Sequence, residues 1–210
     1  MDGVLVDSVK PTWESFNILL KEEGVHFSDE YIKKNLARSL RDNLQAWKNE
    51  FGIKEHDVME FSKKAGAIQL DLLKNEKINP YLLNLLTSAK MQRVTCAIAT
   101  SSLRWRAEKI LQLLKIRTFF EVVVTADDVK NHKPAPDIFL EAAKRVEARP
   151  EECVVIEDAG NGIEAAKNAY MKAVGFITKY HSADELKHAD FTINDFSEIN
   201  LERIRQLFKN

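Results

Sequence analysis

The apolar positions of this chain change their period near residue 79, and the change divides it into two textures. From Ser8 to about Glu76 no run has the composition of a strand. Trp13, Phe16, Leu19 and Leu20 recur at helical spacing, and Gly24 is placed to end that helix. Ser28, followed by Asp29 and Glu30, offers the side-chain acceptor and first-turn acids of a helix start. Tyr31, Leu36, Leu40 and Leu44 supply the apolar positions of this second helix, and a third helical stretch covers roughly 56–73.

After Asn79-Pro80, a pair suited to open a helix, short β-rich runs alternate with amphipathic stretches. The runs are VTCAIAT (94–100), EVVVT (121–125), CVVIED (153–158) and AVGFIT (173–178), with a weaker FTI at 191–193. Helices are predicted at 102–114, 137–147 and 161–170, and a last one at about 198–208. Continuously apolar strands separated by helices predict an α/β fold, a Rossmann-like parallel sheet flanked by helices. The helical segment is then an insert after the first βα connection. The expected domains are 1–9 with 78–210 as the α/β core, and 10–77 as an all-helical cap. In such sheets ligands gather beyond the carboxyl ends of the strands, which singles out Asp2, Thr100, the stretch 125–128, and Glu157 with Asp158.

Composition removes several alternatives. The 210 residues are 45% hydrophobic and 30% charged, ordinary for a globular chain, and the net charge of −1 creates no field that would draw nucleic acid or an anionic membrane. Neither is expected as a partner. No basic-then-apolar leader and no apolar stretch of spanning length is present, so a cytoplasmic location is expected. Cys96 and Cys153 each lie in an apolar run and are expected as buried free thiols. Trp13, Trp47 and Trp105 fall on predicted helices and are assigned to packing, and His132 to a loop surface.

Three strand ends carry candidate chemistry. In VVIEDAGNG (154–162) two adjacent carboxylates follow a strand directly, the oxygen ligands that Mg²⁺ prefers, although solvated acids at a strand end would look the same. In IATSS (98–102) hydroxyl residues lead into a helix N-terminus, which suits an anion, or Ser101 and Ser102 simply cap that helix. In NHKPAPDIF (131–139) Lys133 leaves a loop stiffened by Pro134 and Pro136; its ammonium could balance phosphate charge or lie in solvent. Asp127 and Asp128 are expected to support their loop without reacting.

Taken together, MDGVLVDS (1–8), AIATSS, HKPAPDIF and VVIEDAGNGIEAA resemble the haloacid dehalogenase superfamily, in the branch whose helical cap follows the first motif. That branch includes β-phosphoglucomutase-like enzymes and many small-molecule phosphatases. The resemblance implies a first motif Asp-x-Asp-Gly whose first aspartate attacks phosphorus to give an aspartyl-phosphate. Asp2 matches the second aspartate, a general acid and base whose carbonyl helps hold Mg²⁺, and Gly3 follows it. Thr100 matches the hydroxyl that holds the phosphoryl group, assisted by the amide of Ser101. Lys133 matches the charge-balancing lysine, Asp158 the main metal ligand, and Glu157 its variable neighbour. In ARSLRDNL (37–44) Ala37 stands where relatives carry glycine, and Arg38 or Arg41 would contact substrate, unless they belong to a solvated helix face. Thr12 occupies the position of a cap histidine in sugar phosphomutases, which favours hydrolysis.

The matching nucleophile would stand immediately before Met1, at the end of an apolar strand central to the sheet. The expectation is therefore a Mg²⁺-dependent phosphatase of small phosphorylated metabolites, with the chain from Met1 unable to form the intermediate by itself. The alternatives are a β-phosphoglucomutase-like sugar phosphomutase, or a catalytically inactive homologue that binds metabolites or a protein partner.

Overall fold

A computed structural model describes residues 1–36 and 38–209; Ala37, the residue at the glycine position of the cap motif, lies outside them. The chain forms two compact units, Met1–Val6 with Glu76–Asn210, and Asp7–Asn75. The crossings fall slightly before the expected residues 9 and 78. Ser8 belongs to the helical unit because its carbonyl accepts from the Thr12 hydroxyl at 2.7 Å and from Gln69 Nε2 at 3.3 Å.

The helical unit contains α1 (Val9–Leu20), α2 (Asp29–Asn35), α3 (Leu40–Phe51) and α4 (Val58–Leu72). A short 3-10 turn continues α1 to Gly24, whose φ of 76° is the left-handed conformation foreseen there. Two helices, α2 and α3, replace the single helix expected from Ser28. Ser28 caps the first, accepting from Tyr31 N at 3.3 Å, and Ser39 caps the second, accepting from Asp42 N at 3.1 Å. Ser39 is extended, with ψ 157°, so the helical path breaks there despite the continuing apolar period. The interior is aromatic. Trp47 is fully buried, with Phe27 4.5 Å and Trp13 5.9 Å away between ring centroids. Asn17 Oδ1 accepts from Phe27 N at 2.7 Å and ties the following loop to α1.

In the α/β unit, Asn79 Oδ1 accepts from Tyr81 N at 2.9 Å and opens α5 (Pro80–Met91). There follow β1 (Ala97–Ala99), α6 (Arg104–Leu113), β2 (Val122–Val124), α7 (Asp137–Arg145), β3 (Val154–Glu157), α8 (Gly160–Asn168), β4 (Lys172–Phe176), β5 (Phe191–Ile193) and α9 (Leu201–Gln206). Every strand pair is parallel: Ala97 opposes Val122, Val154 opposes Lys172, and Val174 opposes Phe191. Among the described residues the strands form two sheets, β1-β2 and β3-β4-β5, where one was expected. A core including Val124, Ile163, Ala166, Ala173 and Leu186 is sealed from solvent.

Two expectations change here. Trp105 is 42% exposed, because α6 turns Ala107, Ile110 and Leu111 inward and leaves residue 105 on the other face. Cys96 and Cys153 are free thiols but only half-buried. Among the described residues no helix is long and apolar enough to cross a membrane.

Candidate active site

Four chain segments meet at the carboxyl ends of the strands. At the end of β1, Thr100 is buried; its N–H donates to Val124 O at 2.9 Å, and its Oγ1 accepts from Ser102 N at 3.2 Å. This bend delivers the chain into α6. Neither serine caps that helix: Asp127 Oδ2 accepts from Arg104 N at 2.8 Å instead. Ser101 is exposed beside Thr100. Ser102 Oγ donates to Asp2 Oδ2 at 2.9 Å.

Arg106 completes a fork on the same carboxylate, with Nη2 2.6 Å from Asp2 Oδ1 and Nη1 2.9 Å from Oδ2. It also donates to Ser102 Oγ. Two-pronged guanidinium–carboxylate contacts fix orientation as well as charge. Sequence reasoning named Ser102 only within the IATSS hydroxyl run, without its contact to Asp2, and missed Arg106. Their spacing of four residues, which stacks side chains on one helical face, was the available signal.

The turn that carries Asp2 is closed by Gly3 N donating to Val6 O at 2.9 Å and Leu5 N donating to Met1 O at 2.8 Å. Gly3 has φ 71°, and a Cβ there would run into the Asp158 carboxylate. Backbone conformation and close approach both require glycine at this point. Gly162 likewise leaves space that the Glu157 carboxylate fills.

Glu157 and Asp158 end β3, and both are buried. Lys133 Nζ pairs with Glu157 Oε1, the two side chains being 8% and 9% exposed, and it lies 4.8 Å over the Phe139 ring. Burial alone would push the Glu157 carboxyl up, but the Lys133 ammonium outweighs it and holds the group below the usual carboxylate range. Burial, reinforced by the charge of Glu157, pushes Asp158 upward. Asp158 N donates to Glu157 Oε2 at 2.9 Å. A continuous set of contacts thus runs from Thr100 through Ser102 to Asp2, and from Gly3 through Asp158 and Glu157 to Lys133.

Beside it, the end of β2 is held by Asp128. Its Oδ2 accepts from Thr125 N at 2.8 Å and from the Thr125 hydroxyl at 2.9 Å, and it pairs with Arg104; Oδ1 accepts from Arg145 Nη2 at 3.1 Å. Burial raises this carboxyl, but the hydrogen bonds and the two guanidinium groups bring it down to about 2. The supporting role read from the sequence matches this geometry.

Arg38 and Arg41 belong to the helical unit, where both are exposed; Arg38 Nη1 lies 3.8 Å from Glu50 Oε1. The Thr12 hydroxyl is engaged with Ser8 O and Gln69. Among the described residues no group of three or more His, Cys, Asp or Glu side chains is arranged to hold a metal. The donors at the strand ends are two adjacent carboxylates. Mg²⁺ characteristically takes one or two carboxylates and completes its shell with water and phosphate, so this donor set fits that ion.

Comparison with known proteins identifies the family and the fold. Residues 1–176 match the family described as haloacid dehalogenase-like hydrolase. Fructose-1-phosphate phosphatase YqaB of Escherichia coli (strain K12) is 42% identical over 182 residues, which cover 83% of this chain and 92% of that protein. β-Phosphoglucomutase of Bacillus subtilis (strain 168) is 26% identical over 213 residues, covering 98% and 92%. A crystal structure of a HAD hydrolase, family IA, variant 3, from Entamoeba histolytica shares the fold, with a TM-score of 0.87 at 23% identity over 100% of this chain and 97% of that one. Motifs dispersed along the sequence converge in space, and with such relatives behind them the chain belongs to the haloacid dehalogenase-like hydrolases, in the branch that resembles β-phosphoglucomutase.

Proposed function

We propose that this chain is the body of a Mg²⁺-dependent phosphatase for small phosphorylated sugars. The observation that carries the reading is the convergence of Asp2, Thr100, Lys133 and the Glu157-Asp158 pair at one set of strand ends. Phosphoryl transfer needs an aligned nucleophile and fixed positive charge more than elaborate covalent chemistry, and these groups suit that demand. Thr100 Oγ1 and the Ser101 amide hold a phosphoryl oxygen. Lys133, fixed by Glu157, adds positive charge beside it. Asp2 gives a proton to the leaving sugar oxygen and takes one from the water that follows. Asp158, Glu157 and the carbonyl of Asp2 would hold Mg²⁺, which would supply further positive charge against the phosphate. In this reading the attacking group is the first aspartate carboxylate of an Asp-x-Asp-Gly motif, and water then releases the phosphate from the aspartyl-phosphate.

The sugar class is supported by the E. coli relative, a fructose-1-phosphate phosphatase. Similarity to the B. subtilis mutase across 98% of this chain favours a second reading, return of the phosphoryl group to another sugar hydroxyl. Phosphate release from a panel of sugar monophosphates, measured with and without Mg²⁺ on the full-length protein, decides between them. Mg²⁺-dependent release without any sugar bisphosphate supports hydrolysis. Slow release that a bisphosphate converts into isomerisation supports the mutase, and no turnover of any sugar phosphate overturns both.

A further inference from the structure

The backbone at Asp2 is fixed, but its carboxylate has a freedom that the backbone does not remove. The hydrogen bonds of the 1–6 turn and the left-handed Gly3 set the direction in which the Asp2 side chain leaves the chain. Rotatable torsions then separate Cα from the carboxylate, and their wells send it to different places. A general acid must meet its oxygen within hydrogen-bond reach, and a misplacement of about 1 Å can cost about 100-fold in rate. The fork from α6 chooses among those wells. Arg106 Nη2 on Oδ1 at 2.6 Å and Nη1 on Oδ2 at 2.9 Å fix the plane of the carboxylate, and Ser102 Oγ holds Oδ2 at 2.9 Å.

The fork is itself firmly mounted. Arg106 lies in the first turn of α6, and only 15% of its side-chain surface is exposed. Arg104 pins that turn to the end of β2. Its N–H donates to Asp127 Oδ2 at 2.8 Å, its Nη1 donates to Val123 O at 3.2 Å, and its Nη2 pairs with Asp128. Further along the helix, Ala107, Ile110 and Leu111 are buried. Ser102 donates its N–H to Thr100 Oγ1 at 3.2 Å while its own hydroxyl reaches Asp2. One serine thus joins the hydroxyl assigned to the phosphoryl group to the carboxyl assigned to the leaving oxygen. A lysine at 106 would supply a point charge and not the flat pair of donors that sets a plane.

We propose that Arg106 and Ser102 are positioning residues for the acid–base step. They hold the Asp2 carboxyl at the oxygen that bridges phosphorus and sugar, without touching the substrate themselves. The inference rests on the phosphatase reading. As the phosphorus–oxygen bond to the sugar breaks, its electron pair stays on the sugar oxygen, which takes the Asp2 proton. The water that afterwards frees phosphate returns a proton to Asp2. A protonated carboxyl keeps acceptor capacity, so the fork steadies Asp2 in both forms.

The consequence is selective for the leaving group. A sugar hydroxyl needs that proton to depart, whereas 4-nitrophenolate leaves without one. Values of kcat and KM are measured for a sugar monophosphate and for 4-nitrophenyl phosphate. The proteins are the full-length parent and its Arg106→Gln, Arg106→Lys and Ser102→Ala variants. The comparison uses kcat/KM, which ends at departure of the leaving group and omits the later hydrolysis that both substrates share. For the sugar phosphate it is expected to fall about 100-fold in Arg106→Gln and about tenfold in the other two variants, while 4-nitrophenyl phosphate changes less than about threefold. Equal losses on both substrates would assign these residues to folding or phosphate binding and overturn the proposal, as would unchanged turnover of the sugar phosphate. If Arg106→Gln does not fold, the lysine and serine variants carry the same comparison. A parent inactive on every sugar monophosphate would sink the phosphatase reading and this inference with it, an outcome distinct from equal losses beside an active parent.

Discussion

Asparagine at position 128 would test how far the strand-end loops depend on charge. Asp128 has 15% of its side-chain surface exposed and collects four contacts, from Thr125 N, the Thr125 hydroxyl, Arg104 and Arg145. Its carboxyl stands at about 2, against an ordinary value of 3.8, a gap worth about 2 kcal/mol of stability at neutral pH. Because the folded value is the lower one, the contribution is complete above the unfolded value. It fades as pH falls from about 4 toward 2; at pH 3 about half of it is gone, since the unfolded state then binds a proton that the folded state still refuses. Asp128→Asn keeps the shape and removes the charge. Paired urea titrations followed by circular dichroism should show the variant about 2 kcal/mol less stable than the parent at pH 7 and about 1 kcal/mol less stable at pH 3. A difference under about 0.5 kcal/mol at pH 7, or one that stays constant between the two pH values, would refute the assignment of that stability to the ionised carboxylate.

Gly3→Ala places a side chain in the left-handed region against Asp158, so a loss of about 1–2 kcal/mol from the backbone alone is expected, together with loss of any Mg²⁺-induced rise in melting temperature. Lys133→Met leaves Glu157 buried and unpaired and should cost about 3–5 kcal/mol in urea unfolding. Adding Glu157→Leu should recover most of that, and a double variant no more stable than the single one would contradict the pairing. Ser39→Ala removes the cap that separates α3 from α2 and should lower stability in urea unfolding by about 1 kcal/mol.

Much of the architecture was legible because local signals agreed with the tertiary outcome. FTI at 191–193 became β5 with the same limits, and Asn79-Pro80 opened α5 as its chemistry requires. The longer strand predictions shrank because pairing needs a partner: β1 ends at Ala99, and Thr100 adds only one more bond to Val124. The break before Leu40 was hidden because the apolar period runs across it, while the decisive atom is the hydroxyl of Ser39. At the site, Asp2, Thr100, Lys133, Glu157 and Asp158 could be picked out as strand-end groups, whereas the Arg106 fork on Asp2 joins residues 104 positions apart. No periodicity reports such a contact. The resemblance stopped short of it too, since it assigned positions to a reaction and not to the side chains that steady them.

The aromatic interior of the helical unit has an optical consequence. Trp13 and Trp47 are buried among other rings, while Trp105, in the α/β unit, is 42% exposed. Excitation at the red edge of tryptophan absorption should therefore yield two overlapping emissions, a blue one from Asp7–Asn75 and a redder one from the rest of the chain. Iodide will quench the second and spare the first. Each half of the molecule carries its own lamp, so the loosening of either can be watched without attaching a dye.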